Sequence, residues 1–161
     1  MRLSKHIFIC FLFLGFYSVT NLHAQKEEIN WISFEQLDDS LAIKPKKVFI
    51  SFHADWCSYC KKMDKVAFKD SQVISILNSE YYAVKMNAET TDTISFGGQQ
   101  FVNKEVGKRR RANHEIALLL GSRENYPFSL PVIVVLDESF KVSSRHFQYL
   151  SPKNMLEVFT E

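Results

Sequence analysis

The chain has 161 residues, 46% of them hydrophobic and 24% charged, enough apolar material for one buried core and too much for wholesale disorder or a collagen-like repeat. Its formal charge of +2 comes from Arg2 and Lys5 at the extreme N-terminus; the 20 Lys+Arg less these two balance the 18 Asp+Glu, so nucleic-acid binding driven by bulk charge is excluded. Three cysteines, Cys10, Cys57 and Cys60, are too few for a disulfide-stapled scaffold or a four-thiolate zinc site.

Residues 1–24 read as an export signal. Arg2, Lys5 and His6 precede the apolar run Ile7–Tyr17, and the chain turns polar before Asn21-Leu22-His23-Ala24. A helix of that run would rise only ~16 Å, against a hydrocarbon core of ~30 Å. Cleavage after Ala24 is expected. It would remove Cys10 and leave residues 25–161 as an exported, periplasmic or secreted domain with no stable membrane insertion. The plainer alternative is an uncleaved N-terminal anchor.

Ser33-Phe34-Glu35-Gln36 is a capping box, and Phe34, Leu37 and Leu41 recur at helical spacing, predicting a helix over 33–42. Val48–Phe52 is apolar on both faces, as in a buried strand. Cys57–Phe68 predicts an amphipathic helix with Tyr59, Met63, Val66 and Ala67 as its apolar stripe. Asp70 or Ser71 caps a further turn through Val73–Leu77, and Tyr81–Met86 is a second strand. Thr93–Phe96 and Gln100–Val102 flank Gly97-Gly98, a hairpin signal. Asn113–Leu120 is helical, with Gly121 as the expected C-cap. Val132–Leu136 is a strongly apolar strand, a strand near Phe140–Phe147 follows a tight polar turn, and Ser151-Pro152 starts a last helix. The alternation predicts an α/β domain with a helix-covered sheet whose last two strands run antiparallel.

The chemistry is concentrated at Cys57-Ser58-Tyr59-Cys60, where a strand ends and a helix begins. A helix N-terminus offers unpaired N–H groups and a positive dipole end, which favour a thiolate, the attacking form of cysteine. Cys57 at the entry is expected to be the more exposed sulfur and the nucleophile; Cys60, one turn in, is placed to resolve a mixed disulfide.

The segment Phe52-His53-Ala54-Asp55-Trp56-Cys57-Ser58-Tyr59-Cys60-Lys61 resembles the active-site segment of thioredoxin-fold proteins. Val66–Val73 extends the likeness to the C-terminal thioredoxin-like domain of DsbD and its soluble exported relatives. The resemblance covers about residues 30–160. It implies a thioredoxin fold, with a central mixed sheet flanked by helices; the hairpin-containing stretch of about 89–112, before the third core helix, is longer than that fold needs and reads as an insertion. It also implies a redox-active disulfide with no other cofactor, protein disulfide substrates and an unidentified thiol electron donor. Pro131 matches the family's cis-proline; Trp56 and Tyr59 would lie beside the dithiol, and Leu130-Pro131 would form the opposite wall with the Leu130 backbone open to a bound peptide.

One departure is chemical. Thioredoxins carry a buried acid six residues before the first cysteine, and this chain has Ser51 there. His53 shares the strand face of Ser51. Asp64 lies a turn beyond Cys60, where the DsbD domain also has an acid. Either is a candidate for the missing proton-transfer group; the plainer roles are a hydrogen-bonded strand histidine and a surface carboxylate paired with Lys61 or Lys65. The insertion and its Lys108–Arg111 run read either as a rim near the active site or as a solvated elaboration. Two rival functions stand beside a thiol-disulfide oxidoreductase. One is a metal-binding module using Cys57, Cys60 and His53, His114 or His146, although no metal site is expected from the spacing. The other is a binding domain with an inert disulfide.

Overall fold

The computed structural model describes residues 27–160; the expected signal segment, with Cys10, lies outside the described residues. Five strands form the main sheet in the order β1-β3-β2-β6-β7: β1 Trp31–Ile32, β2 Lys47–His53, β3 Tyr81–Asn87, β6 Val132–Leu136 and β7 Val142–His146. β1 and β2 run parallel to β3, β6 runs antiparallel to β2, and β7 antiparallel to β6. This is the mixed sheet and antiparallel final pair expected from the sequence.

Alternation along β2 divides the core. Phe49 faces one layer with Met63, Val73, Leu77 and Met155; Val48, Ile50 and Phe52 face the other with Phe34, Leu37 and Ile116. The first layer is covered by helices α2 (Ser58–Lys65), α3 (Ser71–Glu80) and α5 (Pro152–Val158), the second by α1 (Phe34–Ile43) and α4 (Glu115–Gly121). With both faces covered, β2 and β6 need apolar residues throughout, which is why neither shows period-two patterning.

Local signals account for most boundaries. Ser33 and Gln36 exchange the two capping-box hydrogen bonds that start α1. Asp70 Oδ1 accepts from the Gln72 and Val73 amides and starts α3, a full ten-residue helix where only a turn is predicted. Ser151 caps α5 ahead of Pro152. Gly97 and Gly98 both have positive φ, so β4 (Ile94–Phe96) and β5 (Gln99–Phe101) close as a two-residue hairpin forming a separate small sheet.

Four expectations need correction. The helix predicted over Cys57–Phe68 breaks at Val66, and a 3-10 turn at Ala67–Lys69 buries Ala67 and Phe68 together, which one helical stripe would not do. Its buried residues are Cys60 and Met63, while Tyr59 and Val66 are exposed. Gly121 is the last residue of α4 and not its C-cap; a Cβ there would sit 3.2 Å from both Phe128 and Val132, so close packing asks for glycine. Phe140 belongs to the β6–β7 turn, at φ 59°, held by Asp137 Oδ1 accepting from the Ser139 and Lys141 amides. β1 has no counterpart in the prediction because two residues carry no periodicity.

Candidate functional site

β2 ends at His53 and delivers the chain through Ala54–Trp56 to the N-terminus of α2. Cys57 is the N-cap of that helix. Its sulfur accepts the Cys60 amide hydrogen at 3.2 Å, so the motif supplies its own cap. Cys57 and Cys60 form a disulfide with Cα atoms 5.3 Å apart. Each is only 3% exposed, which corrects the expectation of a more accessible Cys57 in this oxidised state. The surface around the pair is aromatic: Trp56 is 45% exposed and Tyr59 59%.

The sheet brings a second segment to the same end. Val132 is the register partner of Phe52 across β2 and β6, so Leu130 and Pro131, just before it, lie at the end of β2 that feeds the dithiol. The Leu130–Pro131 peptide bond is cis, Pro131 is buried and Leu130 half-buried.

Six residues before Cys57, on β2, Ser51 is buried and is the register partner of Lys85 in β3. Lys85 Nζ pairs with Asp64 Oδ1 at 2.6 Å, both side chains partly buried. The partner of Asp64 is therefore neither Lys61 nor Lys65. His53 is half-buried beside this pair; burial holds its imidazole below the ordinary range, the Lys85 ammonium adds to the effect, and Asp64 and Asp55 oppose it. A strand lysine between buried Val84 and Met86 was the available sign of a charged partner on the helix packed over that face.

Two contacts at Trp56 have no forerunner in the sequence reading. Trp56 Nε1–H donates to Glu89 Oε1 at 2.9 Å, and the Arg111 guanidinium lies 3.7 Å from the centroid of the indole ring. Glu89 and Arg111 stand at opposite ends of the expected insertion. Within the motif, Tyr59 meets Tyr149 with ring centroids 6.4 Å apart, and Lys62 Nζ, just after it, lies 4.5 Å from the centroid of the Tyr149 ring.

The histidines named as metal ligands are engaged elsewhere. His114 Nδ1 accepts the Ile116 amide hydrogen and Nε2 faces the Asp92 carbonyl, both at 3.2 Å; His146 Nε2 lies 3.0 Å from Ser144 Oγ. Among the described residues, no three or more His, Cys, Asp or Glu gather into a set that could hold a metal ion.

The profile of the family described as "Thioredox_DsbH: Protein of unknown function, DUF255" matches residues 17–108. This chain belongs to that family. The Cys57–Cys60 disulfide lies within the stretch that this family's profile matches. The chain is 32% identical over 68 residues to the thiol:disulfide interchange protein DsbD of Pseudoalteromonas atlantica, which is 42% of this chain and 12% of the relative. It is 31% identical over 55 residues to DsbD of Campylobacter jejuni, 34% of this chain and 10% of the relative. The chain thus spans only a small part of the length of the curated relatives it matches. Among solved structures it is similar to a DsbH oxidoreductase, with TM-score 0.56, 15% identity and 83% of each chain covered. It is also similar to a thioredoxin from Thermus thermophilus, with TM-score 0.55, 19% identity, and 83% of this chain and 85% of that chain covered. At these identities the likeness establishes the thioredoxin fold.

Proposed function

We propose that the protein is an exported thiol-disulfide oxidoreductase that works as a reductase or electron carrier for periplasmic proteins. The carrying observation is the Cys57 sulfur at the α2 N-cap, receiving the Cys60 amide hydrogen with Cys60 already in bonding reach. In the reduced protein that hydrogen bond and the helix dipole favour the Cys57 thiolate. The thiolate attacks one sulfur of a substrate disulfide, forms a Cys57–substrate disulfide and expels the other substrate sulfur as a thiolate. The Cys60 thiolate then attacks Cys57 Sγ, closes the Cys57–Cys60 disulfide and releases the second substrate thiolate. Two electrons pass from the dithiol to the substrate, and a thiol donor must return them.

Other residues take supporting roles in this reading. Trp56, Tyr59, Leu130 and Pro131 form the walls against which an extended peptide lies, with the Leu130 backbone pairing to it. Asp64, held by Lys85, stands one turn from Cys60 and moves its proton; His53 is the second candidate. Export rests on the signal-like residues 1–24, and the reducing direction on the DsbD-like context.

The test is to measure the Cys57–Cys60 reduction potential, and the reduction of a model disulfide by wild type and Cys57→Ser. Wild-type turnover that Cys57→Ser abolishes, with Cys60→Ser accumulating a mixed disulfide, is expected. An inert pair whose potential lies far below that of the compartment would falsify the reading and favour a structural disulfide.

A further inference from the structure

The segment between β3 and α4 carries two cations that are neutralised within it or at its base: Arg109 pairs with Glu105 and Lys104 with Glu115. Lys108, Arg110 and Arg111 are exposed and have no carboxylate partner among the described residues. Arg111 nevertheless has a fixed place, stacked on Trp56, whose indole N–H is tied to Glu89. Stacking uses the face of the guanidinium and leaves its N–H edges available to a carboxylate in bidentate geometry.

The run projects from a tied base. Asn103 Nδ2 donates to the carbonyls of Thr90 and Ala112, Glu105 Oε2 accepts the Asn113 amide hydrogen, and the His114 amide donates to the Ala88 carbonyl. These bonds hold the basic run beside the residue that precedes Cys57. Lys62, two residues after Cys60, adds a cation on the Tyr149 ring. Against Lys62, Lys108, Arg110 and Arg111 stand Asp55, the neighbour of Trp56 in sequence, and Glu89, which keeps its negative charge while it accepts the indole hydrogen. Positive groups thus outnumber negative ones, four to two, on Trp56, Tyr149 and the loop tied beside them, although the chain beyond residue 24 is formally neutral.

We propose that Arg111, with Lys108 and Arg110, forms a docking rim for protein partners that carry acidic side chains beside the reacting cysteine. The proposal rests on the thiol-disulfide reading above and names its substrate class. Charges on such a rim act mainly on encounter and register, over about 8–10 Å at physiological salt.

Two cystine peptides of equal length, one with Asp and Glu flanking the disulfide and one with Ser and Asn, provide the test. The reduced protein is expected to react with the acidic peptide about tenfold faster at about 20 mM salt, and less than about twofold faster at about 500 mM. Combining Lys108→Glu with Arg110→Glu should bring the low-salt ratio to one or below. A wild-type ratio near one, or a ratio that the double substitution leaves in place, overturns the proposal. A second arm needs no exchange: a fluorescent acidic peptide with serine for cysteine is titrated into the oxidised protein and followed by anisotropy. Binding weakened at least about fivefold by the double substitution supports the rim. Absence of peptide binding, or association only with phosphatidylglycerol vesicles, overturns it. If the reduced protein attacks neither cystine peptide, the functional reading fails, while the anisotropy arm still decides the rim.

Discussion

Truncating His114 to alanine is expected to remove about 3–4 kcal/mol of folding stability, assembled from three losses. The imidazole is fully buried, with Nδ1 receiving the Ile116 N–H at the start of α4 and Nε2 against the Asp92 carbonyl. Those partners assign the tautomer with its hydrogen on Nε2. Loss of the N-cap costs about 1 kcal/mol, and leaving the Asp92 carbonyl without its donor costs about 1 kcal/mol more. The void left by the ring adds roughly 1–2 kcal/mol, depending on how far Ile116 and its neighbours collapse. With a urea m-value of about 1.5 kcal/mol/M, the midpoint falls by about 2 M or slightly more. His114→Asn can restore the cap through its side-chain oxygen and should recover about 1 kcal/mol. Urea unfolding followed by far-UV circular dichroism, with the disulfide intact throughout, measures all three proteins. A loss below about 1 kcal/mol for alanine, or asparagine no better than alanine, would refute the cap-and-brace account of His114.

Asp64→Asn should slow resolution of a Cys57 mixed disulfide by about tenfold, and Ser51→Ala by less than about twofold; rapid-quench kinetics reads both, and equal, negligible effects would sink the proton-transfer role. The His53 imidazole is held below its ordinary pKa of 6.5, so the unfolded chain binds its proton first as pH falls. The stabilising contribution is complete above 6.5 and is lost as pH drops through the folded-state value. Urea midpoints measured from about pH 8 to pH 5 should show this decline, and His53→Asn should flatten it.

The sequence was most legible where local physics is decisive. Ser33 with Gln36, Ser151 with Pro152 and paired Gly97-Gly98 specify their structures within four residues, and all appear as expected. The C-x-x-C motif was legible because a helix start gives vicinal cysteines a chemical meaning. The partner of Asp64 was not, since Lys61 and Lys65 are near in sequence while Lys85 arrives through the β2–β3 register. The two contacts at Trp56 were invisible for the same reason: both depend on how the segment after β3 folds back. Gly121 shows the converse error. Its position after a helical run imitates a C-cap, but the deciding fact is the nearness of Phe128 and Val132. His114 stood out as a histidine that could bind metal, and the structure spends both ring nitrogens on holding backbone.

Asn103 joins the two ends of the segment after β3 through a single amide group, bonding Thr90 on the outgoing chain and Ala112 on the returning one. A loop closed at its neck tolerates change beyond the neck, since doubling its length costs only about 0.6 kcal/mol in closure entropy. The tip can therefore be lengthened, recharged or exchanged while the sheet and the Cys57–Cys60 pair keep their geometry. Partner choice and electron transfer become separately heritable, and a graft at residues 106–110, beyond Asn103 and Glu105, is the natural place to re-address this dithiol to a new client.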